Sequence, residues 1–178
     1  RNTLQSSMRQ AALSKRPMSH PAVEVASKTV DLAQMYPLIR EKLDAGGTFT
    51  LTITGTSMYP FILGGRDRVT LSPIQGKLKK NDLPLYIRRS GQFVLHRIVK
   101  VHKDGTYTCC GDHQWQKEPG LCHDQMVAIA TSYVRKGKII TNRNILYRIY
   151  RTVWTWVIPL RRYYFGLDRR WQKWFGKK

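Results

Sequence analysis

The sequence is poor in acidic residues, in cysteine and in long apolar runs, and each shortage narrows what the protein can be. Of its 178 residues, 11 are Asp or Glu and 31 are Lys or Arg, which leaves a formal net charge of +20. The three cysteines, Cys109, Cys110 and Cys122, do not make a disulfide framework, because two of them are adjacent. A single Cys110–Cys122 bridge stays open, but a reduced or indifferent compartment is the simpler expectation. No apolar run of about eighteen residues is present, so we expect no ordinary transmembrane helix.

The basic excess is concentrated at the C-terminal end of the chain. Residues 143–178 hold ten basic side chains and one acidic side chain. Residues 1–30 are rich in Ser, Ala, Lys and Arg without periodicity, and are predicted to be a disordered basic N-terminal segment. We therefore divide the chain into the segment 1–30, a β-rich domain over 31–142, and a basic aromatic tail over 143–178.

The domain is predicted to consist of short strands joined by Gly, Pro and Asp turns, preceded by one short helix. That helix is expected over 37–45, with Pro37 in its first turn and Gly46 at its end, and Pro37 argues against an unbroken helix that starts further upstream. Pro84 should confine its strand to an edge or a bulge. Alternation and β-branched residues predict strands over 48–54, 68–72, 83–88, 92–101, 107–112, 125–135 and 138–141.

A serine stands directly after the first predicted strand, in the stretch Gly55-Thr56-Ser57-Met58-Tyr59-Pro60. Gly55 permits a backbone turn that a side chain would oppose, and Pro60 prevents further ladder pairing. Ser57 is therefore expected at the end of a rigid strand, where a substrate carbonyl could reach its hydroxyl. Taken alone, the stretch fits an ordinary strand-ending turn equally well.

A histidine and two acidic residues follow the serine. His96 lies at the centre of the predicted strand 92–101, Asp112 follows Gly111 at the end of the next strand, and Glu118 comes six residues later. A serine hydroxyl needs a neighbouring base to take its proton, and imidazole is largely neutral at pH 7. A carboxylate fixes the tautomer of such a histidine and stabilises its cation. With that partner, we expect the pKa of His96 to lie at or above about 6.5.

The motifs G-x-S-M-x-P, V-L-H-R-I-V, and G-D followed by an acid at the sixth position occur here in this order. In them the chain resembles the signal-peptidase and LexA-like clan of serine peptidases. Within that clan it is similar to the endoplasmic-reticulum and spore-former type of signal peptidase I, which uses serine and histidine instead of serine and lysine. The resemblance covers roughly residues 31 to 140, and implies a mainly β catalytic domain with the coiled sheet of that clan.

The resemblance also implies roles for individual residues. Ser57 would be the nucleophile and His96 the general base, and both Asp112 and Glu118 would matter, the later acid as partner of the histidine and the earlier one as support. Relatives commonly have aspartate at the later position, so which acid orients His96 stays open. The backbone N–H of Ser57, with another amide of its turn, would meet the oxyanion. No cofactor is implied, and substrates would carry small residues on the N-terminal side of the cut.

The tail has the pattern of a basic amphipathic helix. Tryptophans interleave there with arginines and lysines, a combination that suits the membrane–water interface. We therefore expect peripheral attachment to an anionic membrane surface through 143–178, on a face that the sequence leaves open. A helix that packs on the domain is one alternative, and nucleic-acid binding is a less favoured one. The apolar residues at helical spacing are Leu146, Ile149, Val153, Trp156 and Leu160.

Together these patterns favour a serine endopeptidase that removes a signal or leader segment from a precursor polypeptide. The rival interpretation is a catalytically inactive peptidase-like scaffold that binds membrane or nucleic acid. A LexA-like self-cleaving regulator is disfavoured, because no helix-turn-helix domain precedes residue 48 and the base is not lysine. A zinc site is disfavoured as well, since neighbouring cysteines on a strand point to opposite faces and no C-x-x-C pair occurs; its candidate ligands are Cys109, Cys110, His113, Cys122 and His123.

Overall fold

The computed structural model describes residues 32–161 and residue 163. The predicted disordered segment 1–30, and the part of the predicted tail at residue 162 and from 164 onward, lie outside the described residues. Strand content exceeds helix content, 33% against 25%, which confirms the predicted mainly β class. The main sheet is curled into a half-barrel, and the helices are short.

Two α-helices flank nine strands in the described part of the chain. Helix α1 covers Leu32–Asp44 and helix α2 covers Ile145–Trp156, while a 3-10 turn at His123–Gln125 precedes the longest strand. The strands are β1 (Phe49–Thr52), β2 (Arg68–Ser72), β3 (Pro84–Ile87), β4 (Phe93–Leu95), β5 (Arg97–Val101), β6 (Tyr107–Cys110), β7 (Glu118–Leu121), β8 (Met126–Arg135) and β9 (Lys138–Thr141).

The strands form two antiparallel sheets. The larger sheet has the order β1-β2-β8-β3-β4, and β9 also pairs with β8. The smaller sheet has the order β5-β6-β7. Register shifts interrupt the β2–β8 and β3–β8 ladders, and such bulges strengthen the local twist of a strand. These register shifts are consistent with a sheet that curls around the apolar core.

The buried apolar residues form two clusters. The larger cluster lies inside the curled sheet and receives Ile39 and Leu43 from α1, Met58 and Phe61 from the serine turn, and Tyr147 from α2. The smaller cluster joins β3, β5 and β6 through residues such as Tyr86, Ile98 and Cys109. The segment between β1 and β2, which carries the serine, is therefore anchored in the main core by the side chains on either side of Pro60.

Helix α1 differs from its prediction because Pro37 lies inside it without breaking it. Pro37 stands in the second turn, where a missing N–H removes one backbone bond near the helix start. Burial of Ile39 and Leu43 against the sheet stabilises the helix in spite of that loss, whereas Leu38 is exposed. The helix ends before Gly46, whose φ of +77° and N–H bond to Leu43 O match the predicted C-terminal role.

The predicted single strand over 92–101 is wrong in a way that matters for the site. The chain pairs with β3 through β4, then leaves that sheet at His96 and pairs with β6 through β5. Every side chain from Val94 to Ile98 is buried. The apolar character of this run therefore reflects burial of both of its faces, and not membership of one long strand. His96 therefore lies at the junction of the two sheets.

Two other strand predictions need adjustment. Strand β3 pairs with both β4 and β8, so Pro84 is not on an edge strand; it is the first residue of an interior strand, with a register shift after Leu85. Strand β7, which begins at Glu118, was not predicted, since its sequence Glu-Pro-Gly-Leu lacks the alternation of a strand. The fold thus places Glu118 at the start of an edge strand.

Helix α2 is packed against the domain through one face. Its Tyr147 and Thr155 are buried, and the Tyr147 ring stacks on Phe61 with a centroid distance of 4.6 Å. The predicted stripe from Leu146 to Leu160 lies on the other face and is exposed. Among the described residues, no helix has the length and apolar character needed to cross a bilayer.

Candidate active site

The serine turn is held by backbone contacts that require glycine. Gly55 has a φ of +78°, and a Cβ on Gly64 would lie 2.1 Å from the Gly55 carbonyl oxygen, so the two backbones touch. A Cβ on Gly111 would lie 2.7 Å from Ser57 O, and that same oxygen accepts the N–H of His113 at 2.7 Å. The glycine of the G-D motif thus allows the following loop to close on the serine turn.

Ser57 itself is half-buried. Within the described ranges, no hydrogen bond engages its Oγ, its N–H or the N–H of Met58. Its backbone packs against Gly111, which follows Cys110, and Cys110 pairs with Arg97 directly after His96. Ser57 and His96 therefore lie on adjoining segments, without a direct hydrogen bond between them. Such bonds are often long before substrate binds and tighten in the complex.

His96 is buried, 3% exposed, with only one of its ring nitrogens engaged by described residues. Its Nδ1 lies 3.1 Å from Glu118 Oε1 and 3.3 Å from Tyr86 Oη. An ionised carboxylate can only accept, so we assign the proton to Nδ1. The lone pair then resides on Nε2, which is the arrangement that a histidine needs to act as a general base.

Glu118 is held by an arginine as well as by the histidine. Arg88 Nε donates to Glu118 Oε2 at 2.8 Å, and Arg88 Nη2 donates to Glu118 Oε1. The remaining Arg88 Nη1 donates to Gln92 Oε1 at 2.6 Å. Such a two-point pair fixes the plane of the carboxylate as well as its position.

The electrostatics of this cluster differ from the sequence-based expectation. Burial lowers the pKa of His96, the negative charge of Glu118 raises it and the positive charge of Arg88 lowers it again, so that the pKa lies below its ordinary value. The expected pKa at or above about 6.5 is therefore wrong, because it left out both burial and the arginine. Burial raises the pKa of Glu118, but the Arg88 hydrogen bonds and the charge of His96 outweigh it and the pKa is lowered.

Asp112 has different partners, although it is only six residues away. It is 1% exposed and forms a two-point pair with the equally buried Arg97, with Nε–Oδ1 at 2.9 Å and Nη2–Oδ2 at 2.8 Å. From α2, Tyr150 Oη donates to Asp112 Oδ2 at 3.1 Å and Trp154 Nε1 donates to the Asp112 carbonyl at 2.8 Å. No hydrogen bond joins Asp112 to His96 in the part of the chain that the structure describes.

Arg161, in the region after α2, binds the loop between Asp112 and Glu118 through hydrogen bonds. Arg161 Nη1 donates to the carbonyl oxygens of Gly111 and Gln114, each at 3.1 Å, and its Nη2 donates to Trp154 O. Arg97 Nη1 in turn donates to Tyr147 Oη at 3.1 Å. Residues 145–161 are therefore structurally continuous with the site, because they hold the loop that carries Asp112 and leads to Glu118.

A cleft of about 680 Å³ opens beside Glu118. Five of its lining residues come from the loop after Asp112 and from the start of β7, and the sixth is Arg88. Trp115 is partly exposed there and offers an apolar surface. The lining residues are Arg88, Gln114, Trp115, Gln116, Lys117 and Glu118. A polypeptide in this cleft would lie next to the His96–Glu118 pair.

The cysteines are separate from this chemistry. All three are free thiols, with Cys109 and Cys110 buried and Cys122 exposed. Burial raises the pKa of the Cys109 thiol to about 12 and that of Cys110 to about 11, so both are protonated at neutral pH. Among the described residues, no group of three or more His, Cys, Asp or Glu side chains is arranged to hold a metal ion.

Sequence reasoning missed three contributors to the site: Tyr86, Arg88 and Arg97. Two signals could have found them. Tyr86 and Arg88 are two residues apart, so they share a face of an extended strand. Arg97 is a charge between Leu95 and Ile98 in an apolar run, and a buried charge requires an ionic partner.

No protein-family model matches the chain, and a search of the curated proteins finds none that is similar to it. The resemblance to the signal-peptidase clan therefore rests on the three sequence motifs alone.

Proposed function

We propose that this protein is a serine endopeptidase of the Ser/His signal-peptidase type, which removes a signal or leader segment from a precursor polypeptide. The observation that carries the proposal is the orientation of His96. Its Nδ1 is bound by a carboxylate, while no described residue binds its Nε2, and Gly111, which follows the strand paired with β5, packs against Ser57. A structural histidine has no need of this arrangement, whereas a general base does.

The mechanism follows from those groups. Ser57 Oγ attacks the scissile carbonyl carbon while His96 Nε2 takes the hydroxyl proton, and Glu118 stabilises the imidazolium that forms. The free N–H groups of Ser57 and Met58 donate to the oxyanion. When the tetrahedral intermediate collapses, the C–N bond breaks and His96 gives the proton to the leaving amine. Water, activated by His96 in the same way, then hydrolyses the acyl-serine ester.

The test uses precursor peptides with small residues before the expected cut, with cleavage sites read by mass spectrometry. Wild type should cleave at a defined bond, and Ser57→Ala and His96→Ala should each lose activity about 10⁴-fold or more while remaining folded at the assay temperature. A Ser57→Ala protein that cleaves at the same bond and rate contradicts the proposal. A folded wild type that cleaves nothing yet binds lipid or DNA favours the inactive-scaffold alternative.

Membrane attachment is the second part of the proposal, and the exposed face of α2 supports it. Leu146 is 76% exposed and Trp156 is 74% exposed, and the same face carries Ile149 and Val153, while Leu160, which follows the helix, is exposed as well. The opposite face is already occupied by the domain, so this stripe does not contribute to the packing among the described residues. The tail 143–178 carries ten basic residues and one acidic residue, and each basic group near an anionic surface contributes about 1 kcal/mol.

Liposome sedimentation of the full chain tests the attachment. Vesicles with anionic lipid should retain the wild type more strongly than neutral vesicles, and the Leu146→Ser/Trp156→Ser variant should lose most of this retention. Thr152→Ser, also on the exposed side of α2, is the matched control and should bind like wild type. Point variants are preferable to a truncation at 142, because Tyr147 belongs to the core. Equal sedimentation of the stripe variant and wild type contradicts attachment through this face.

A further inference from the structure

Arg88 is the one permanent cation in contact with the His96–Glu118 pair in the described structure, and its own position is well fixed. It directly follows β3, and its backbone N–H donates to Gln92 O at 2.9 Å while its carbonyl accepts the Gly91 N–H at 2.9 Å. These bonds close the turn between β3 and β4. The guanidinium is therefore mounted on a closed hairpin, two residues from Tyr86, which also contacts His96.

The guanidinium determines which way Glu118 points. A glutamate side chain has one more rotatable bond than the aspartate commonly found at this position in the resembling family, and so has more conformations to lose. Two parallel N–H bonds from Arg88 leave the carboxylate one orientation, with Oε1 at 3.1 Å from His96 Nδ1. Glu118 is 25% exposed, so without that fork its side chain would be free to turn into the adjoining cleft.

The same contact sets the charge that His96 experiences. The groups that face the imidazole are Tyr86 and Arg88 from the β3 side, and Asp112 and Glu118 from the other sheet. Asp112 is already neutralised by its pairing with Arg97. Arg88 shares Glu118 with His96, so that the histidine does not receive the full attraction of a free carboxylate.

We propose that Arg88 is a positioning residue of the active site, which aims Glu118 at His96 and keeps the imidazole neutral at lower pH. This inference rests on the proposed peptidase function, but its effect on the histidine is a property of the resting protein. Arg88 is not required to touch the substrate for either effect. The direction of the His96 pKa, below its ordinary value, agrees with this assignment.

Two substitutions separate orientation from charge. Arg88→Gln removes the cation and the fork, so kcat should fall roughly 10- to 100-fold and the acid limb of the pH–rate profile should move to higher pH. Arg88→Lys retains the cation without the planar fork, so kcat should fall similarly while the acid limb stays near that of wild type. Arg89→Gln is the matched control, because it removes the same charge from the neighbouring, exposed Arg89. It should leave both kcat and the acid limb unchanged.

NMR titration of the His96 ring in the Ser57→Ala background gives the same comparison without catalysis. The midpoint should rise with Arg88→Gln and remain unchanged with Arg89→Gln. A His96 midpoint that Arg88→Gln does not raise overturns the inference even if the wild type is an active peptidase. Conversely, a midpoint that rises in a protein that cleaves no precursor leaves the electrostatic role of Arg88 standing and rejects the proposed function. Loss of kcat that merely parallels a lower melting temperature, with no shift of the acid limb, also overturns it.

Discussion

Asp112 and Glu118 are carboxylates at the two ends of one loop, yet their burial and their partners differ. Glu118 is 25% exposed at the edge of a cleft and contacts His96 and Arg88. Asp112 is 1% exposed and contacts Arg97 and the aromatic side chains of α2. One acid lines the cleft, and the other faces the seam between the sheet and the C-terminal helix.

The difference teaches that the neighbours of an acidic residue, and not its residue type, distinguish the catalytic role proposed for Glu118 from the structural role of Asp112. Removal of one partner of a buried ion pair strongly destabilises the folded protein, because the other charge is left buried without compensation. Removal of a partly exposed acid that is paired with a histidine costs less folding stability. Its effect appears instead when the histidine must become a cation, because the acid no longer stabilises that charge. The sequence left the two roles open, and the contacts favour Glu118 as the acid that orients His96.

The largest effect expected within this comparison is that of Glu118→Gln on turnover. The amide retains the size of the side chain but cannot stabilise the imidazolium, so kcat should fall about 100-fold or more. The melting temperature should change by only a few degrees, because the group is partly exposed. Steady-state kinetics and a melting curve measure the two effects, with Glu41→Gln on the exposed side of α1 as the control.

Asp112→Asn should show the reverse pattern. It leaves Arg97 buried with a neutral partner, a change that costs about 3 to 5 kcal/mol and lowers Tm by roughly 10 °C in a protein of this size. The kcat of the folded protein, measured well below that Tm, should fall only several-fold. If Asp112→Asn abolishes turnover without loss of stability while Glu118→Gln does not, the roles of the two acids are exchanged.

The smallest expected effect is on pH dependence. His96 must be neutral to act as a base, and burial holds its pKa below the ordinary value, so activity should persist to a pH below about 6.5 before it declines. Removal of the Glu118 charge takes away the main influence that raises this pKa, so the acid limb of Glu118→Gln should lie lower still. Asp112→Asn should move the limb less. Profiles of kcat/KM against pH for the three proteins check the order, and a wild-type limb above 6.5 contradicts it.

The parts of the site that the sequence predicted are those that depend on local chemistry. The Ser57 turn needs a positive φ at Gly55, and the loop at Gly111 needs a residue without a Cβ, and both requirements are visible as glycines. Strands such as β2 and β9 have the predicted limits because their pattern is complete within the strand.

The parts that the sequence did not predict depend on contacts between distant segments. The break at His96 arises because β4 and β5 pair with different strands, and nothing within 92–101 distinguishes that from one continuous ladder. Arg88 becomes part of the site only when β3 lies next to the start of β7. The two faces of α2 are both rich in apolar or aromatic residues, so periodicity alone does not say which face meets the domain.

The measurement that tests the central claim most directly is a double-mutant comparison of Ser57 and Glu118. Initial rates on one precursor peptide are measured for wild type, Ser57→Ala, Glu118→Gln and the double variant, all below the lowest Tm. If Ser57, His96 and Glu118 act as one unit, the double variant will be scarcely slower than Ser57→Ala, because the acid has nothing to assist once the nucleophile is gone. If the two losses instead multiply, or if Ser57→Ala cleaves as fast as wild type, the account of this site is contradicted.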